Sequence, residues 1–87
     1  MKVLIVEDDV PSRNFMKDTV ESQGFETFTA ENGLQGLEEF KKVCPDLVFS
    51  DINMPKMNGL ELLEEVRKIN SNVIVVMVTA FDCEEYA

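Results

Sequence analysis

Leu47-Val48-Phe49-Ser50-Asp51-Ile52-Asn53-Met54-Pro55-Lys56-Met57-Asn58-Gly59 is the stretch that decides the fold. Leu47, Val48 and Phe49 form a short apolar run, the pattern of a strand buried on both faces of a parallel sheet. Ser50 and Asp51 stand at its end. The following residues carry Pro, Asn and Gly punctuation and read as a loop. Asn58, with Glu61 three positions on, resembles a capping box that starts a helix. Leu60, Leu63, Val66 and Ile69 then fall on one helical face.

Working outward, the same alternation repeats. Val3 to Val6 is an all-apolar, β-branched run closed by Glu7-Asp8-Asp9. Asp9 stands where a cap belongs and Pro11 suits a first helical turn. Phe15, Met16, Thr19 and Val20 follow at helical spacing, and Gly24 is a stop signal. Phe25, Phe28 and Thr29 suggest a second strand. Leu34, Leu37 and Phe40 lie on one face of a second helix, with Glu38, Glu39, Lys41 and Lys42 toward water, and Cys44-Pro45 breaks it. Val73 to Val78 is a fourth buried strand, ending in Thr79-Ala80, and Phe81 to Ala87 begin a further helix. The order β-α-β-α-β-α-β predicts an open parallel α/β sheet with right-handed crossovers. In such sheets functional groups gather beyond the carboxyl ends of the strands.

Composition narrows the function. The 87 residues make one small domain, 45% hydrophobic and 29% charged. Seventeen acidic against eight basic residues give a net charge of −9, which repels phosphate backbones and argues against direct nucleic-acid binding. The chain has no histidine, so Ser-His-Asp, Cys-His and His-metal chemistry are excluded. Cys44 and Cys83 are too few for a zinc site or a disulfide framework. Cys44 reads as a partly buried helix-end residue, and Met16 and Met77 as core packing. The run Val73–Val78 is far short of the roughly 20 residues that span a bilayer. The N-terminus lacks a signal-peptide layout, so a cytoplasmic protein is expected.

Parallel strands should open Glu7, Asp8, Asp51 and Thr79 on one edge of the sheet. Three carboxylates in one cleft repel one another unless a cation joins them. With oxygen ligands alone, the expected ion is hard, Mg²⁺ or Mn²⁺. A carboxylate so placed can attack phosphorus and form an aspartyl phosphate. Asp51 is the best nucleophile, since it follows a buried strand and precedes a loop. Glu7 and Asp8 suit the metal, the Asn53 main-chain carbonyl could add an oxygen, and the Thr79 hydroxyl could contact a phosphoryl oxygen. Read singly, each acidic residue could equally be a solvated turn residue; the combination argues otherwise.

Glu7-Asp8, the stretch Asp51 to Gly59 with its Asp-x-x-Met-Pro-x-Met-x-Gly pattern, and Val78-Thr79-Ala80 resemble the response-regulator receiver domain of two-component signalling. The resemblance runs over the whole chain in order and spacing. It implies a flavodoxin-like sheet of order 2-1-3-4 and a phosphoacceptor signalling switch, not an enzyme in the usual sense. Asp51 would take a phosphoryl group from a phosphohistidine on a sensor histidine kinase or phosphotransfer protein. Glu7, Asp8, Asp51 and the Asn53 carbonyl would hold Mg²⁺. Thr79 would be the phosphoryl-contacting switch hydroxyl, and Ala80 the small residue that leaves phosphoryl access. Asn53 and Phe81 match positions that tune the lifetime of the phosphoryl group. The kinase would dock on the first helix, from about Pro11 to Ser22.

The family has five strands and five helices, and its fifth strand carries a lysine that pairs with the phosphoryl group. The lysines here are 2, 17, 41, 42, 56 and 68, and none follows a fifth strand. The expectation is therefore a receiver domain, residues 1–87, truncated after the fourth strand. Its fourth strand becomes a hydrophobic edge, and a homodimer through that strand is expected. Three other readings compete. A folded receiver fragment used as an interaction module follows from the missing lysine. An aspartate-nucleophile phosphatase needs a second aspartate at the position of Asn53. A flavodoxin-like cofactor binder would not place Glu-Asp-Asp after the first strand.

Overall fold

The computed structural model describes residues 1–51 and 57–78. The elements are β1 (Lys2–Val6), α1 (Val10–Ser22), β2 (Glu26–Ala30), α2 (Gly33–Val43), β3 (Leu47–Asp51), α3 (Gly59–Ile69) and β4 (Ile74–Val78). The four strands form one sheet of order β2-β1-β3-β4. All three pairings are parallel. The fold is the open parallel α/β sheet that the alternation predicts, in the flavodoxin-like strand order that the resemblance implies. The expected further helix over Phe81–Ala87 lies outside the described residues.

The central strand β1 is apolar at every position after Lys2 because both its faces are covered, and Val3, Leu4, Ile5 and Val6 are fully buried. Alternation then sorts the side chains into two layers. On one face Leu4, Val6, Ala30, Val48 and Val73 meet Phe40 of α2 and Leu62 and Val66 of α3. Each buried Val, Leu or Phe among them contributes about 1.5–3 kcal/mol of transfer free energy. On the other face α1 is the one described helix, and none of its residues is fully buried. Phe15 is 72% exposed, and Ile74 and Val76 of β4 are exposed as well. Phe15, Met16, Thr19, Val20 and Phe49 line an open apolar groove of about 250 Å³ on this face.

Local signals explain the helix ends. Asp9 caps α1 by accepting the Ser12 amide at 3.0 Å, and Pro11 occupies the first turn, where no amide is needed. Gly24, at φ +88°, turns the chain into β2 through a conformation that other residues avoid. Asn58 and Glu61 form a full capping box: the Asn58 side chain accepts the Glu61 amide at 2.9 Å, and the Asn58 amide donates to the Glu61 carboxylate at 3.2 Å.

Three expectations are corrected. Cys44 is exposed, not partly buried; it ends α2 with a left-handed backbone at φ 50°. On α2 the buried line is Gly33, Gly36 and Phe40, while Leu34 faces water. On α3 it is Gly59, Leu62 and Val66, with Leu60 and Ile69 exposed. In α2, Gly36 packs directly on the sheet, where a Cβ would lie 2.8 Å from a Val6 methyl, and the buried face turns away from the leucine line that hydrophobicity alone selects.

Candidate functional site

The register brings the carboxyl ends of the strands level. Val6 of β1 pairs with Ala30 of β2 and Ser50 of β3, and Asp51 pairs with Val78 of β4. Glu7 continues this line, its amide donating to the Ala30 carbonyl at 3.0 Å. Thus Glu7 and Asp8 leave β1 on the edge where Asp51 closes β3. Carboxylate oxygens of Glu7, Asp8 and Asp51 lie within 4.8 Å of one another. The sequence separates Asp8 from Asp51 widely, and the parallel pairing of β1 with β3 joins them.

Burial sets the electrostatics. Glu7 is 4% exposed and Asp51 5%, while Asp8 is exposed. Burial first, then the hydrogen bond with Asp51 and its charge, then Asp8, push the Glu7 carboxyl up to about 8. At neutral pH the cluster without a cation therefore holds a proton on Glu7, which also accepts the Asp8 amide at 3.1 Å. Ser50 is fully buried beside the site and donates its hydroxyl to the Asp51 carbonyl at 3.2 Å.

The donor set fits a hard divalent cation. It is all oxygen and clustered within the reach of one ion. Glu7 holds its proton chiefly because it is buried, and the neighbouring Asp51 and Asp8 add to that. Asn53, Thr79, Ala80 and Phe81 lie outside the described residues. β4 ends at Val78, the residue that pairs with Asp51.

One contact was invisible in the sequence. Arg13, one turn into α1, donates its guanidinium to the Glu7 carbonyl at 3.0 Å. It ties the first turn of α1 to the strand end that presents Glu7 and Asp8. No spacing rule announces a side-chain bond to a main-chain carbonyl six residues back.

Comparison with known proteins agrees with this architecture. The sequence profile of the response regulator receiver domain matches residues 3–87. Sporulation initiation phosphotransferase F of Bacillus subtilis is 39% identical over 80 residues, covering 92% of this chain and 64% of that protein. The chemotaxis protein CheY of the same organism is 40% identical over 80 residues, covering 91% and 67%. The chain thus spans about two thirds of the length of these relatives. Among solved structures, the response regulator TrrA of Thermotoga maritima, in complex with Mg²⁺-BeF, superposes with a TM-score of 0.88 at 34% identity. That match covers 98% of this chain and 74% of the other. Sheet order, edge geometry and sequence converge, and the chain belongs to the response regulator receiver domain family of two-component systems.

Proposed function

We propose that this chain is a phosphoacceptor of a two-component phosphorelay, with Asp51 receiving the phosphoryl group in a Mg²⁺-dependent reaction. The observation that supports it most is the meeting of Asp51 with Glu7 and Asp8 within 4.8 Å at the carboxyl edge of the sheet. Glu7, Asp8, Asp51 and the Asn53 carbonyl are the residues that would hold the ion. When bound, Mg²⁺ (or Mn²⁺) supplies positive charge against the oxygens of an incoming phosphoryl group.

An Asp51 carboxylate oxygen attacks phosphorus and forms an O–P bond. The P–N bond to a histidine of a sensor kinase or phosphotransfer protein breaks. Its electron pair stays on the imidazole, which, protonated at its other ring nitrogen before the transfer, leaves neutral. Buried walls around Asp51 limit water, which otherwise competes for the acyl phosphate. Thr79 is the hydroxyl that contacts a phosphoryl oxygen, and Ala80 keeps the approach open. The Arg13–Glu7 bond holds the acidic pair in register with the strand end. The role is that of a signalling switch in the cytoplasm, and the covalent change at Asp51 is its signal.

The half-covered sheet face supports a second element of the reading, self-association of this chain. Among the described residues β4 pairs on one side alone, with β3. Ile74 and Val76 lie exposed beside the groove formed by Phe15 and Phe49. Such a surface is a template for pairing with a second copy through β4. Sedimentation at micromolar concentration should give a dimer, and Ile74→Lys should give a monomer; a stable wild-type monomer contradicts self-association.

The functional reading is tested by incubating the chain with Mg²⁺ and a small acyl phosphate. The intact mass should rise by one phosphoryl group, and Asp51→Ala should abolish the rise. No rise under conditions that modify a full-length receiver domain favours the alternative, a folded interaction module that is not phosphorylated.

A further inference from the structure

Glu7 and Asp8 share one peptide unit, and both of its polar groups are engaged. The Glu7 carbonyl accepts the Arg13 guanidinium at 3.0 Å, and the Asp8 amide donates to the Glu7 carboxylate at 3.1 Å. A peptide unit is planar and stiff, so holding both groups fixes the direction in which Asp8 leaves the strand end. The two anchors differ. The Glu7 carboxylate belongs to the proposed cation site, so a bound ion draws on the oxygens that hold the Asp8 amide. Arg13 stays outside that competition, because it reaches the carbonyl from α1 and its acceptor is neutral. It has no place among the described ion pairs, Lys17–Glu21, Lys42–Glu39 and Lys68–Glu65. The helix depends on the same turn. No residue of α1 is fully buried, and Asp9 ties down its start by accepting the Ser12 amide on its side chain at 3.0 Å and the Arg13 amide on its carbonyl at 2.9 Å. Asp9 follows Asp8 directly, so Glu7, Asp8, Asp9 and Arg13 close one ring of bonds between the acidic pair and the first turn.

We infer that Arg13 is a positioning residue through which the cation site and the first turn of α1 stabilise each other. The inference rests on the reading of Glu7 and Asp8 as holders of a divalent cation. A guanidinium beside such a site should, by its charge alone, weaken the binding of a cation. Here it holds the carbonyl between the two carboxylate residues, and the order it imposes outweighs the repulsion. Outer partners that orient metal ligands contribute about 10- to 100-fold in affinity. Arg13 acts on Glu7 and Asp8 through their shared main chain, so a smaller effect of about 5- to 10-fold is expected. The coupling is reciprocal. An ion that fixes the Glu7–Asp8 unit also steadies the acceptor of Arg13, and the first turn of α1 then opens less often.

The test is a Mn²⁺ titration of the folded chain, with the free ion counted by electron paramagnetic resonance. Arg13→Met keeps an apolar stem at the position and removes the donors and the charge together. It should bind Mn²⁺ about 5- to 10-fold more weakly. Loss of a repelling charge alone would tighten binding, so the sign of the change decides. Val66→Ala, a core truncation in α3, should keep the wild-type affinity while circular dichroism shows it folded. Arg13→Met with unchanged or tighter binding overturns the inference, as does equal weakening in Val66→Ala. A second readout uses the wild type and no variant. Saturating Mg²⁺ should slow hydrogen exchange at the amides of residues 12–14 more than at residues 20–22 in the last turn of α1. Equal slowing, or none, overturns the coupling, and this measurement decides alone if Arg13→Met does not fold. A wild-type chain that binds no Mn²⁺ overturns the cation-site reading itself, an outcome that the wild-type titration distinguishes from failure of the inference alone.

Discussion

Replacing Asp51 with Asn should stabilise the chain in the absence of metal and remove its response to Mg²⁺. Three carboxyl groups share a space in which their oxygens lie within 4.8 Å of one another. At that separation two unit charges repel by about 3–4 kcal/mol at an effective dielectric constant of about 20. Part of this is already relieved at pH 7, because Glu7, pushed up to about 8, retains its proton. The remaining relief on substitution is about 1–2 kcal/mol. Asn keeps an oxygen able to accept from protonated Glu7, so the hydrogen bond that Asp51 makes survives the change. For a domain of this size, each kcal/mol moves Tm by about 4–8 °C. Thermal unfolding followed by circular dichroism at pH 7 in chelator should therefore show Asp51→Asn melting about 5–15 °C above wild type. In millimolar Mg²⁺ the wild type should gain stability by mass action, and the variant should gain much less. An Asp51→Asn variant that melts at or below the wild type in chelator, or responds equally to Mg²⁺, refutes the claim that charge crowding organises this site.

Three further outcomes follow from the same geometry. Glu7 titrates near 8 in the folded chain and near 4.5 when unfolded, so between these values the folded state binds the extra proton. Metal-free stability is then full below about pH 4.5 with respect to this group and falls as pH rises toward 8, by up to about 1.4 kcal/mol per unit; urea titrations in chelator across this window check the slope, and saturating Mg²⁺ should flatten it. Asn58→Ala removes the side-chain arm of the capping box, leaving the residue-58 amide to donate to Glu61, and should cost about 1 kcal/mol in the same denaturant assay; a neutral result would show that the cap is dispensable. Lys substitution of exposed Val76, like that of Ile74, should leave the melt of the monomer unchanged while weakening self-association in sedimentation.

Much of the fold was legible because its signals are local. Buried parallel strands read as continuous apolar runs, and β1 and β3 each stand out without help from their neighbours. Asp9, Pro11 and Asn58 mark helix starts by chemistry that acts within four residues. The acidic site was legible by a longer argument: parallel pairing aligns strand ends, so Glu7, Asp8 and Asp51 had to converge. What escaped is what depends on absent side chains or on main-chain partners. Hydrophobic spacing selected Leu34 and Leu60 as buried, yet the helices turn their glycines inward and leave these leucines in water. The same blindness hid the Gly33–Met57 contact, since a glycine reads as a loop signal when it is in fact a close approach. Cys44 does end α2, as its Cys-Pro pair suggests, but it stands exposed there with a left-handed backbone, not partly buried.

The exposure of Phe15 has a related explanation. Spacing correctly grouped it with Met16, Thr19 and Val20, but amphipathic spacing predicts a face and cannot say whether anything covers it. In the described structure Met16 and Val20 reach half burial against the sheet, and Phe15 stays open to solvent beside Phe49.

The account stands most directly on the identity of the modified residue. After incubation with Mg²⁺ and a small acyl phosphate, borohydride reduction converts an aspartyl phosphate to homoserine, and peptide mass spectrometry then locates it. Homoserine at position 51, absent when Mg²⁺ is chelated, is the predicted result. No conversion, conversion that is indifferent to Mg²⁺, or conversion at Glu7, Asp8 or another carboxylate in place of Asp51 would contradict it.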